Sequence, residues 1–530
     1  MSQTRKIIRL LPHGRIIETD SKRCLMEVLV DNNIFLRSDC GGKGVCGKCK
    51  VKISHGESHE EIKEACMLIP DQDISVEIPE ASMLSPNIIH KPPVILPDSF
   101  NVINTTNKQE FGIAVDLGTT TIAVYLCDIS NRKIITSVSI KNPQAHYGDD
   151  VMSRIGAISL SPETLERLQN LTVKAIDSGI KTMLVLCSLS KNTVSKMVVV
   201  GNPTMIHILI GIDPGPIGEH PYQPVFFESR KTPSHTLNFS MQSIPVKTLP
   251  QISGFIGGDI LAAALAVNLE NQPIGTLLVD LGTNGELILK GRDKLIATSC
   301  ATGPAFEGAT LSCGMQAIPG AIDNVKISSH KNLPACSIIK KNGSANEKAQ
   351  GICGSGVISA IAEFYRRGII EPGGRFNQKD TIENVLKDSK GLSTYVLVPG
   401  ELSANGQDIG ISQKDIRAIQ LGKAALITGI EYLLKEAKLE KPEKIIIAGA
   451  FGSHMNKNDM ITLGMLPLIA PEQIEIAGNA AGAGAVLTLC DDKYQKDAEK
   501  TSRKITVVDL AANKDFQNTF IHRLNFPESQ

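Results

Sequence analysis

The sequence lacks any excess of charge, because its 530 residues hold 55 Lys plus Arg and 55 Asp plus Glu. A balanced chain carries neither the strong positive field that attracts nucleic acid nor a polybasic membrane anchor. No uninterrupted apolar run reaches the ~18 residues that a transmembrane helix needs. Charges also interrupt the first twenty residues, so no apolar signal core is present. We therefore expect a cytoplasmic protein that binds neither nucleic acid nor membrane.

A P-loop is also missing, since no stretch matches G-x-x-x-x-G-K-[ST]. The composition is otherwise that of an ordinary globular protein, and 530 residues suit two or three domains. Cysteine is the residue type that stands out, because three of the 12 fall within ten residues. In the cytosol such thiols are more often metal ligands or catalytic groups than disulfide partners.

The cysteine-rich segment SDCGGKGVCGKCKV spaces Cys40, Cys46 and Cys49 as C-x5-C-x2-C. Its four glycines allow the unusual backbone angles and close N–H approach that a loop around a metal–sulfide cluster needs. A cluster requires a fourth thiolate, for which Cys66 in KEACML is the candidate. The alternatives are a zinc knuckle or a redox dithiol, but zinc sites more usually show two C-x2-C pairs. We predict a [2Fe–2S] cluster, and we interpret Cys24, on the apolar face of a predicted helix, as a core thiol.

The first 82 residues form a small β-rich unit around this segment. IIRLLPHGRIIET predicts two short strands, SKRCLMEVLVDN a helix, and KCKVKIS and ISVEIPE one further strand each. With its cysteines the unit resembles the plant- and adrenodoxin-type ferredoxins, which implies an α+β, β-grasp domain over residues 1–82. Residues 83–110 contain four prolines and show no sustained period, so we predict an extended linker there.

Two strand–turn–strand segments lie 164 residues apart, FGIAVDLGTTTIAVYLCD around Asp116 and TLLVDLGTNGELIL around Asp280. In each, a glycine (Gly118 or Gly282) lets backbone N–H groups face a phosphate. The two aspartates can hold Mg²⁺, directly or through water. The turn side chains that can donate further hydrogen bonds are Thr119, Thr120, Thr121, Thr283 and Asn284.

A third apolar strand, in KIIIAGAFGSHMN, is followed by a loop whose small residues permit close approach of an adenine and ribose. This loop consists of Gly449, Ala450, Phe451 and Gly452. Two hairpins and such a loop, in this order, resemble the superfamily of actin, sugar kinases and heat-shock ATPases. The resemblance implies an α/β fold over residues 111–530, with ATP in the cleft between two duplicated lobes. The lobes would span about 111–274 and about 275–490, followed by a C-terminal strand and helix at 491–530.

Further segments narrow the family. NPQAHYGDDVMSRI, VVGNPTMIHILIG, SGFIGGDILAA, ATGPAFEGATLSCGMQAIPGAI, GICGSGVISAIAEF and the C-terminal VVDLAANKDFQNTFIHRLNFP together resemble the reductive activators of corrinoid-dependent methyltransferases. The resemblance covers nearly the whole chain. It implies an ATP-hydrolysing oxidoreductase that passes one electron from its cluster to inactive Co(II) in a corrinoid protein or methyltransferase and so regenerates Co(I). It also implies an upstream electron donor and suggests a homodimer.

Such a reaction is uphill from an ordinary ferredoxin. Plant-type clusters sit near about −400 mV, and ~59 mV changes a one-electron equilibrium tenfold. ATP can help only by binding differently to two conformations. We hypothesise that lobe closure on ATP favours a complex in which the axial ligation of cobalt changes and its potential rises. The alternatives are an activator of a radical or dehydratase enzyme, a small-molecule kinase with a fused redox module, and a non-catalytic scaffold.

Several residues leave two interpretations open. Asp259 in GGD and Glu286 after GTNG either position the attacking water or are hydrogen-bonded structural carboxylates. His207 either faces a partner or is a core histidine. A second cluster could be built from three cysteines in Gly/Ala-rich runs, although buried small thiols are the favoured interpretation. These cysteines are Cys300, Cys313 and Cys353.

Overall fold

A computed structural model describes residues 5–528 with gaps. The residues within this range that it leaves out are 13, 20–21, 33, 35, 37–43, 45–46, 48, 56–57, 80–81, 84–95, 97–108, 149, 309–310, 329–333, 341–346, 378–383, 388–390, 450–454, 511–512 and 514. Within the described part, no helix is long and apolar enough to cross a membrane. The chain divides into two compact units, the first built from Met1–Lys91, Ile103–Phe226 and Arg230–Thr248, and the second mainly from Leu249–Gln530.

The N-terminal part of the first unit is a mixed five-stranded sheet in the order β2-β1-β5-β3-β4. Its elements are β1 (Lys6–Leu11), β2 (Arg15–Thr19), α1 (Leu25–Asp31), β3 (Lys50–His55), β4 (Ser58–Glu64) and β5 (Ile74–Glu77). The apolar face of α1 is buried in the core of this sheet. The sequence did not predict β4, because SHEEIKE is mostly charged; it is an edge strand paired only with β3, where charged side chains stay in water.

The rest of the first unit is a six-stranded sheet in the order β10-β11-β9-β6-β7-β8. Its elements are β6 (Phe111–Leu117), β7 (Thr121–Asp128), β8 (Lys133–Lys141), α2 (Val151–Leu160), α3 (Glu163–Leu186), β9 (Val194–Gly201), α4 (Pro203–Leu209), α5 (Gly215–Gly218), β10 (Lys231–Pro233) and β11 (Pro245–Thr248). Strands β6 and β9 are almost continuously apolar and buried, as strands covered on both faces are.

The second unit contains a sheet in the order β22-β21-β12-β13-β14-β23 and two three-stranded sheets. Its elements are α6 (Gly258–Ala266), β12 (Thr276–Leu281), β13 (Gly285–Lys290), β14 (Leu295–Cys300), β15 (Ala321–Ile327), β16 (Pro334–Ile338), β17 (Gly351–Ile352), α7 (Gly354–Arg366), β18 (Val385–Lys387), β19 (Ser393–Val398), β20 (Ile409–Ser412), α8 (Gln413–Ala437), β21 (Lys444–Ala448), α9 (Lys457–Thr462), β22 (Ile474–Gly478), α10 (Ala480–Cys490), α11 (Asp492–Ser502), β23 (Ile505–Val507) and α12 (Phe516–His522).

The two large sheets share one topology around their first strands. Strand β6 pairs antiparallel with β7 and parallel with β9, and β7 pairs antiparallel with β8. In the second unit β12 pairs antiparallel with β13 and parallel with β21, and β13 pairs antiparallel with β14. The internal repeat seen in the sequence is therefore a duplicated sheet core, which confirms the predicted α/β fold class.

Candidate functional site

Two of the four predicted cluster cysteines lie in the described part of the ferredoxin-type module. Cys49 precedes β3 and Cys66 follows β4, and their Sγ atoms are 3.4 Å apart. Two thiolates on one tetrahedral metal with bonds of about 2.3 Å would lie roughly 3.8 Å apart. The pair therefore fits two ligands of one iron. Cys40 and Cys46 lie outside the described residues.

Two glycines of the segment before Cys49 lie in the described part of the chain and have the backbone angles that were predicted for them. Gly44 and Gly47 have φ of +70° and +61°, in the left-handed region that glycine adopts at little cost. Met67, directly after Cys66, lies over Gly44, because a Cβ added to that glycine would be 2.8 Å from the Met67 side chain. The loop and the Cys66 segment therefore pack against each other.

The first hairpin is the tight turn between β6 and β7. The Gly118 N–H donates to Thr121 O at 3.0 Å, and a Cβ on Gly118 would lie 2.6 Å from that same oxygen. Only glycine fits this turn. Asp116 stands at the end of β6, and Thr119 is buried while Thr120 and Thr121 are partly exposed.

Three buried polar side chains donate hydrogen bonds to the residues of this turn. Asn142 donates from Nδ2 to Gly118 O at 2.9 Å, and Asn202 donates from Nδ2 to the Thr119 hydroxyl at 2.9 Å. Arg154, fully buried, donates from Nη2 to Thr119 O at 2.7 Å. Its guanidinium places a positive charge behind the loop, where it favours an anion.

All three residues lie in motifs noted above, NPQAHYGDDVMSRI and VVGNPTMIHILIG, but no role could be predicted for them from the sequence. A signal for two of them was present: Asn142 and Asn202 each precede a proline, and Asn at the N-cap with Pro at N1 predicts a helix start. In the structure both asparagines do cap helices, the 3-10 helix Pro143–His146 and α4.

The second hairpin, between β12 and β13, has a different environment. Its Gly282 N–H donates to Asn284 O at 3.1 Å. Thr283 donates to Glu307 Oε1 at 2.7 Å, and the Thr302 hydroxyl donates to the carbonyls of Gly282 and Thr283 at 3.3 and 3.2 Å. Glu307, in ATGPAFEGA, was also not singled out in the sequence.

Carboxylates converge on this hairpin. Asp280 and Glu286 are directly opposite each other across β12 and β13, so they point to the same face. Burial, followed by repulsion from Asp259, Asp280 and Glu307, raises the pKa of Glu286 well above its usual range. Burial raises the pKa of Asp259 to about 6, against two backbone N–H groups at the start of α6 that lower it. Such a group is poised to accept a proton near neutral pH.

The predicted adenosine loop begins beside the same hairpin. Strand β21 runs parallel to β12 with Ala448 opposite Asp280, and a Cβ on Gly449 would lie 2.4 Å from Leu281 O. Gly449 has φ of +102°, which again requires glycine. Ala450, Phe451 and Gly452 lie outside the described residues. The small-residue helix α10 packs closely on α6, since a Cβ on Gly484 would lie 2.0 Å from Ala262 O.

The environments of His207 and Cys24 in the structure can be compared with the roles predicted for them. His207 is fully buried, with Nδ1 2.7 Å from Pro203 O, Nε2 accepting from Val225 N at 3.0 Å, and the ring stacked on Phe226. It is a satisfied core histidine. Cys24 is the N-cap of α1 and lies one residue before the predicted helix face, and its partly buried side chain packs against the core of the ferredoxin-type module.

The second-cluster interpretation finds no support in the described residues. Cys300 and Cys353 are buried, and the Cys313 thiol lies 3.6 Å from Asp408 O. None of the three belongs to a described group of three metal-binding side chains within 4.8 Å of one another. Burial, then Glu286, raises the pKa of Cys300, which keeps that thiol protonated.

Comparison with known proteins places these features in one family. Family models match at residues 8–73 ("2Fe-2S iron-sulfur cluster binding domain"), 111–272 ("RACo middle region") and 275–530 ("C-terminal domain of RACo the ASKHA domain"). The chain is 32% identical to "Corrinoid activation enzyme RamQ" of Eubacterium limosum, over 80% of this chain and 72% of that protein. This chain belongs to the family of corrinoid activation enzymes.

Two further comparisons agree. A "[Co(II) methylated amine-specific corrinoid protein] reductase" of Methanosarcina barkeri is 27% identical over 78% of this chain and 77% of its own. The solved structure of a "Reductive activator for corrinoid,iron-sulfur protein" matches 98% of both chains with a TM-score of 0.73 and 27% identity. The family predicted from the motifs is thereby confirmed, and with it the pairing of a [2Fe–2S] module with an actin-like ATPase.

Proposed function

We propose that this corrinoid activation enzyme uses ATP to drive one-electron reduction of inactive Co(II) in a partner corrinoid protein or methyltransferase, regenerating Co(I). One observation carries the proposal. The chain joins a ferredoxin-type module, whose Cys49 and Cys66 thiols lie 3.4 Å apart, to an actin-like ATPase with two phosphate-type hairpins. An electron carrier and a nucleotide switch on one chain suit an electron transfer that needs ATP.

The [2Fe–2S] cluster, held by Cys40, Cys46, Cys49 and Cys66, would supply the electron, so that cobalt gains what the cluster loses. An upstream reduced donor must then restore the cluster. Thiolates suit the iron because sulfur is a soft, charged ligand. The paired Sγ atoms of Cys49 and Cys66 support their share of this ligand set.

ATP would bind through the two hairpins and the Gly449 loop. At the first hairpin, the N–H groups and hydroxyls of the turn would meet phosphate oxygens, and the buried guanidinium of Arg154 would favour their negative charge. Asn142 and Asn202 keep the turn in shape, since each hydrogen-bonds one of its atoms. The residues that we propose for nucleotide binding are Asp116, Gly118, Thr119, Thr120, Thr121, Asp280, Gly282, Thr283, Asn284, Gly449, Ala450, Phe451 and Gly452.

Mg²⁺ would bind at the second hairpin. Like charges directly opposite in a sheet repel, and a cation beside Asp280 and Glu286 would relieve that repulsion. The described carboxylate oxygens there do not draw together into a group of three within 4.8 Å. Mg²⁺ suits so open an oxygen set, because it usually keeps several waters and takes only one or two carboxylates.

Asp259 and Glu286 would act on the attacking water. The Asp259 pKa of about 6 leaves the carboxylate mostly ionised at neutral pH while keeping it basic enough to accept a proton. Burial and the neighbouring carboxylates raise the pKa of Glu286 well above its usual range, which favours its protonated form until a cation neutralises the site. Asp259 is therefore the stronger candidate for the base, and Glu286 for a group that orients the water.

Three further features complete the proposal. ATP would favour the conformation that binds the Co(II) partner, and hydrolysis of ATP would release the partner.

A cytoplasmic location would keep the cysteines reduced and free to hold iron. The resemblance to the family suggests a homodimer, which light scattering of the purified protein would test.

The decisive experiment follows cobalt directly. The anaerobically purified protein would be reduced and mixed with a Co(II) corrinoid protein from the same organism, and the visible spectrum of cobalt recorded with and without Mg·ATP. We expect Co(I) to form only with ATP. In Asp280→Asn, ATP should no longer support the formation of Co(I). The control Asp293→Asn, on an exposed loop of the same unit, should form Co(I) with ATP as the unaltered protein does.

The outcome separates the proposal from its alternatives. Co(I) formation that is equally fast without ATP would refute the role of the nucleotide. ATP turnover and an iron–sulfur spectrum without any Co(I), for each corrinoid protein of that organism, would favour a kinase or an activator of another enzyme.

A further inference from the structure

Three side chains with metal-binding atoms meet where the ferredoxin-type module lies against the rest of the first unit. They are Cys24, Glu27 and His146, and one ligand atom of each lies within 4.8 Å of the others. Cys24 caps α1, Glu27 lies in its first turn, and His146 ends the 3-10 helix Pro143–His146. In the part of the chain that the structure describes, no other three such side chains come so close.

The imidazole of this group has a buried ring nitrogen that a ligand could pair. The Nδ1 atom of His146 is buried and has no hydrogen-bond partner among the residues that the structure describes. Buried polar atoms are nearly always paired, so we expect this nitrogen to interact with a group such as a bound ion. Glu27 accepts a hydrogen bond from the Cys24 backbone N–H at 3.2 Å through Oε2. A thiol–carboxylate contact between Cys24 and Glu27 alone would leave the imidazole nitrogen unpaired, whereas a shared ion would satisfy all three side chains.

The donor set indicates which ion. A thiolate and an imidazole are ligands for zinc, while Mg²⁺ and Ca²⁺ take oxygen. One thiolate and one carboxylate balance a doubly charged ion, and water can fill the fourth tetrahedral position. We propose that Cys24, Glu27 and His146 bind a zinc ion that joins the ferredoxin-type module to the ATPase.

The position of this ion would give it a mechanical consequence. Two further contacts join the same parts of the first unit: Lys174 donates from Nζ to Asp31 O at 3.1 Å, and Val30 packs against the core of the six-stranded sheet. The 3-10 helix that carries His146 is capped by Asn142, whose N–H donates to Thr120 O in the first hairpin at 2.7 Å. The ion would thus tie α1 of the ferredoxin-type module to the segment that supports the phosphate loop.

The test counts metals in the full chain with its cluster in place. Protein stripped of adventitious zinc is titrated with Zn²⁺, and zinc and iron are measured together by mass spectrometry. We expect about one zinc per chain with no loss of iron. Cys24→Ser and His146→Asn should each lose this zinc while keeping their iron. The matched controls Cys187→Ser and His235→Asn, elsewhere in the first unit, should bind zinc as the unaltered protein does.

A second measurement reports on the contact itself. Zinc should slow amide hydrogen exchange in residues 25–31 and 143–146 of the unaltered protein and not of the two ligand variants. The proposal is overturned if the unaltered protein binds no zinc, if the ligand variants bind it equally well, or if zinc enters only as iron leaves. Neither measurement uses ATP or a corrinoid, so failure here is distinct from failure of the proposed function.

Discussion

Asp259→Asn should stabilise the protein while impairing its ATPase. Burial of the carboxylate raises the free energy of its charged form. Asparagine keeps the oxygen that accepts from the Ile260 N–H at 2.9 Å. The substitution therefore removes the charge with little change in shape, and the effect of the charge can be isolated.

The magnitude follows from the pKa of Asp259, which rises from 3.8 to about 6. Between these values the folded state holds a proton that the unfolded state has lost, so this group lowers stability as pH rises. The cost is about 1.6 kcal/mol at pH 5 and about 3 kcal/mol at pH 8 by linkage. The advantage of Asp259→Asn should therefore grow by about 1.4 kcal/mol across this range, which is roughly 1–3 °C in Tm for a protein of this size.

The assay compares thermal unfolding of both proteins at pH 5 and pH 8, without nucleotide and with divalent ions chelated. The exposed residue Asp293 supplies the control, because Asp293→Asn should show no difference that depends on pH. In parallel, ATP hydrolysis by the unaltered protein should decline as pH falls through about 6. Hydrolysis by Asp259→Asn should be slower by roughly 10²–10⁴-fold at all pH values, as for loss of a general base.

Two results would refute this reasoning. A Tm difference that is the same at pH 5 and pH 8 would show that Asp259 does not titrate in this range. Full ATPase activity in Asp259→Asn would show that the carboxylate, whatever its pKa, is structural, and Glu286 would become the candidate base.

Three further substitutions test other parts of the site. Cys66→Ser should remove the [2Fe–2S] absorbance and lower the iron count, and full iron in this variant would mean that another ligand completes the cluster. Gly118→Ala should abolish ATP binding measured by calorimetry, because the new Cβ would lie 2.6 Å from Thr121 O. The control is Gly156→Ala, where the added Cβ in α2 meets open space. This variant should bind ATP normally, and its free energy of unfolding should rise by up to ~1 kcal/mol. Arg154→Met should lower the free energy of unfolding by about 3 kcal/mol or more, because two buried carbonyl groups lose their donor. It should also weaken ATP binding. An unchanged affinity for ATP would exclude an electrostatic role for the guanidinium.

The local patterns predicted the frame of the molecule well. Alternating and continuous apolar runs around Asp116 and Asp280 predicted the two hairpins, because a buried strand and a glycine turn are both specified within a few residues. The strand before Gly449 was predicted for the same reason. The β4 strand was missed, because an exposed edge strand such as SHEEIKE has no apolar period to reveal it.

Contacts between distant segments could not be predicted in this way. Arg154 lies 35 residues from Thr119, and Glu307 lies 24 residues from Thr283, yet each bonds its hairpin directly. A lone arginine or glutamate looks in sequence like a solvated charge. The exact start of a helix could not be predicted either. The predicted helix included Cys24, whereas α1 begins at Leu25 and Cys24 is its N-cap.

These long-range contacts make two topologically equivalent hairpins electrically different. In the first hairpin the aspartate next to the turn, Asp116, faces Ala123 across the strands, and a buried guanidinium supports the turn. The second has Asp280 facing Glu286, with Glu307 bound to its threonine. A positive setting suits phosphate oxygens, and a negative one suits a cation and a water that must lose a proton. We therefore propose that the duplicated core supplies two similar loops with different roles, the first in binding phosphate and the second in binding Mg²⁺ and the attacking water.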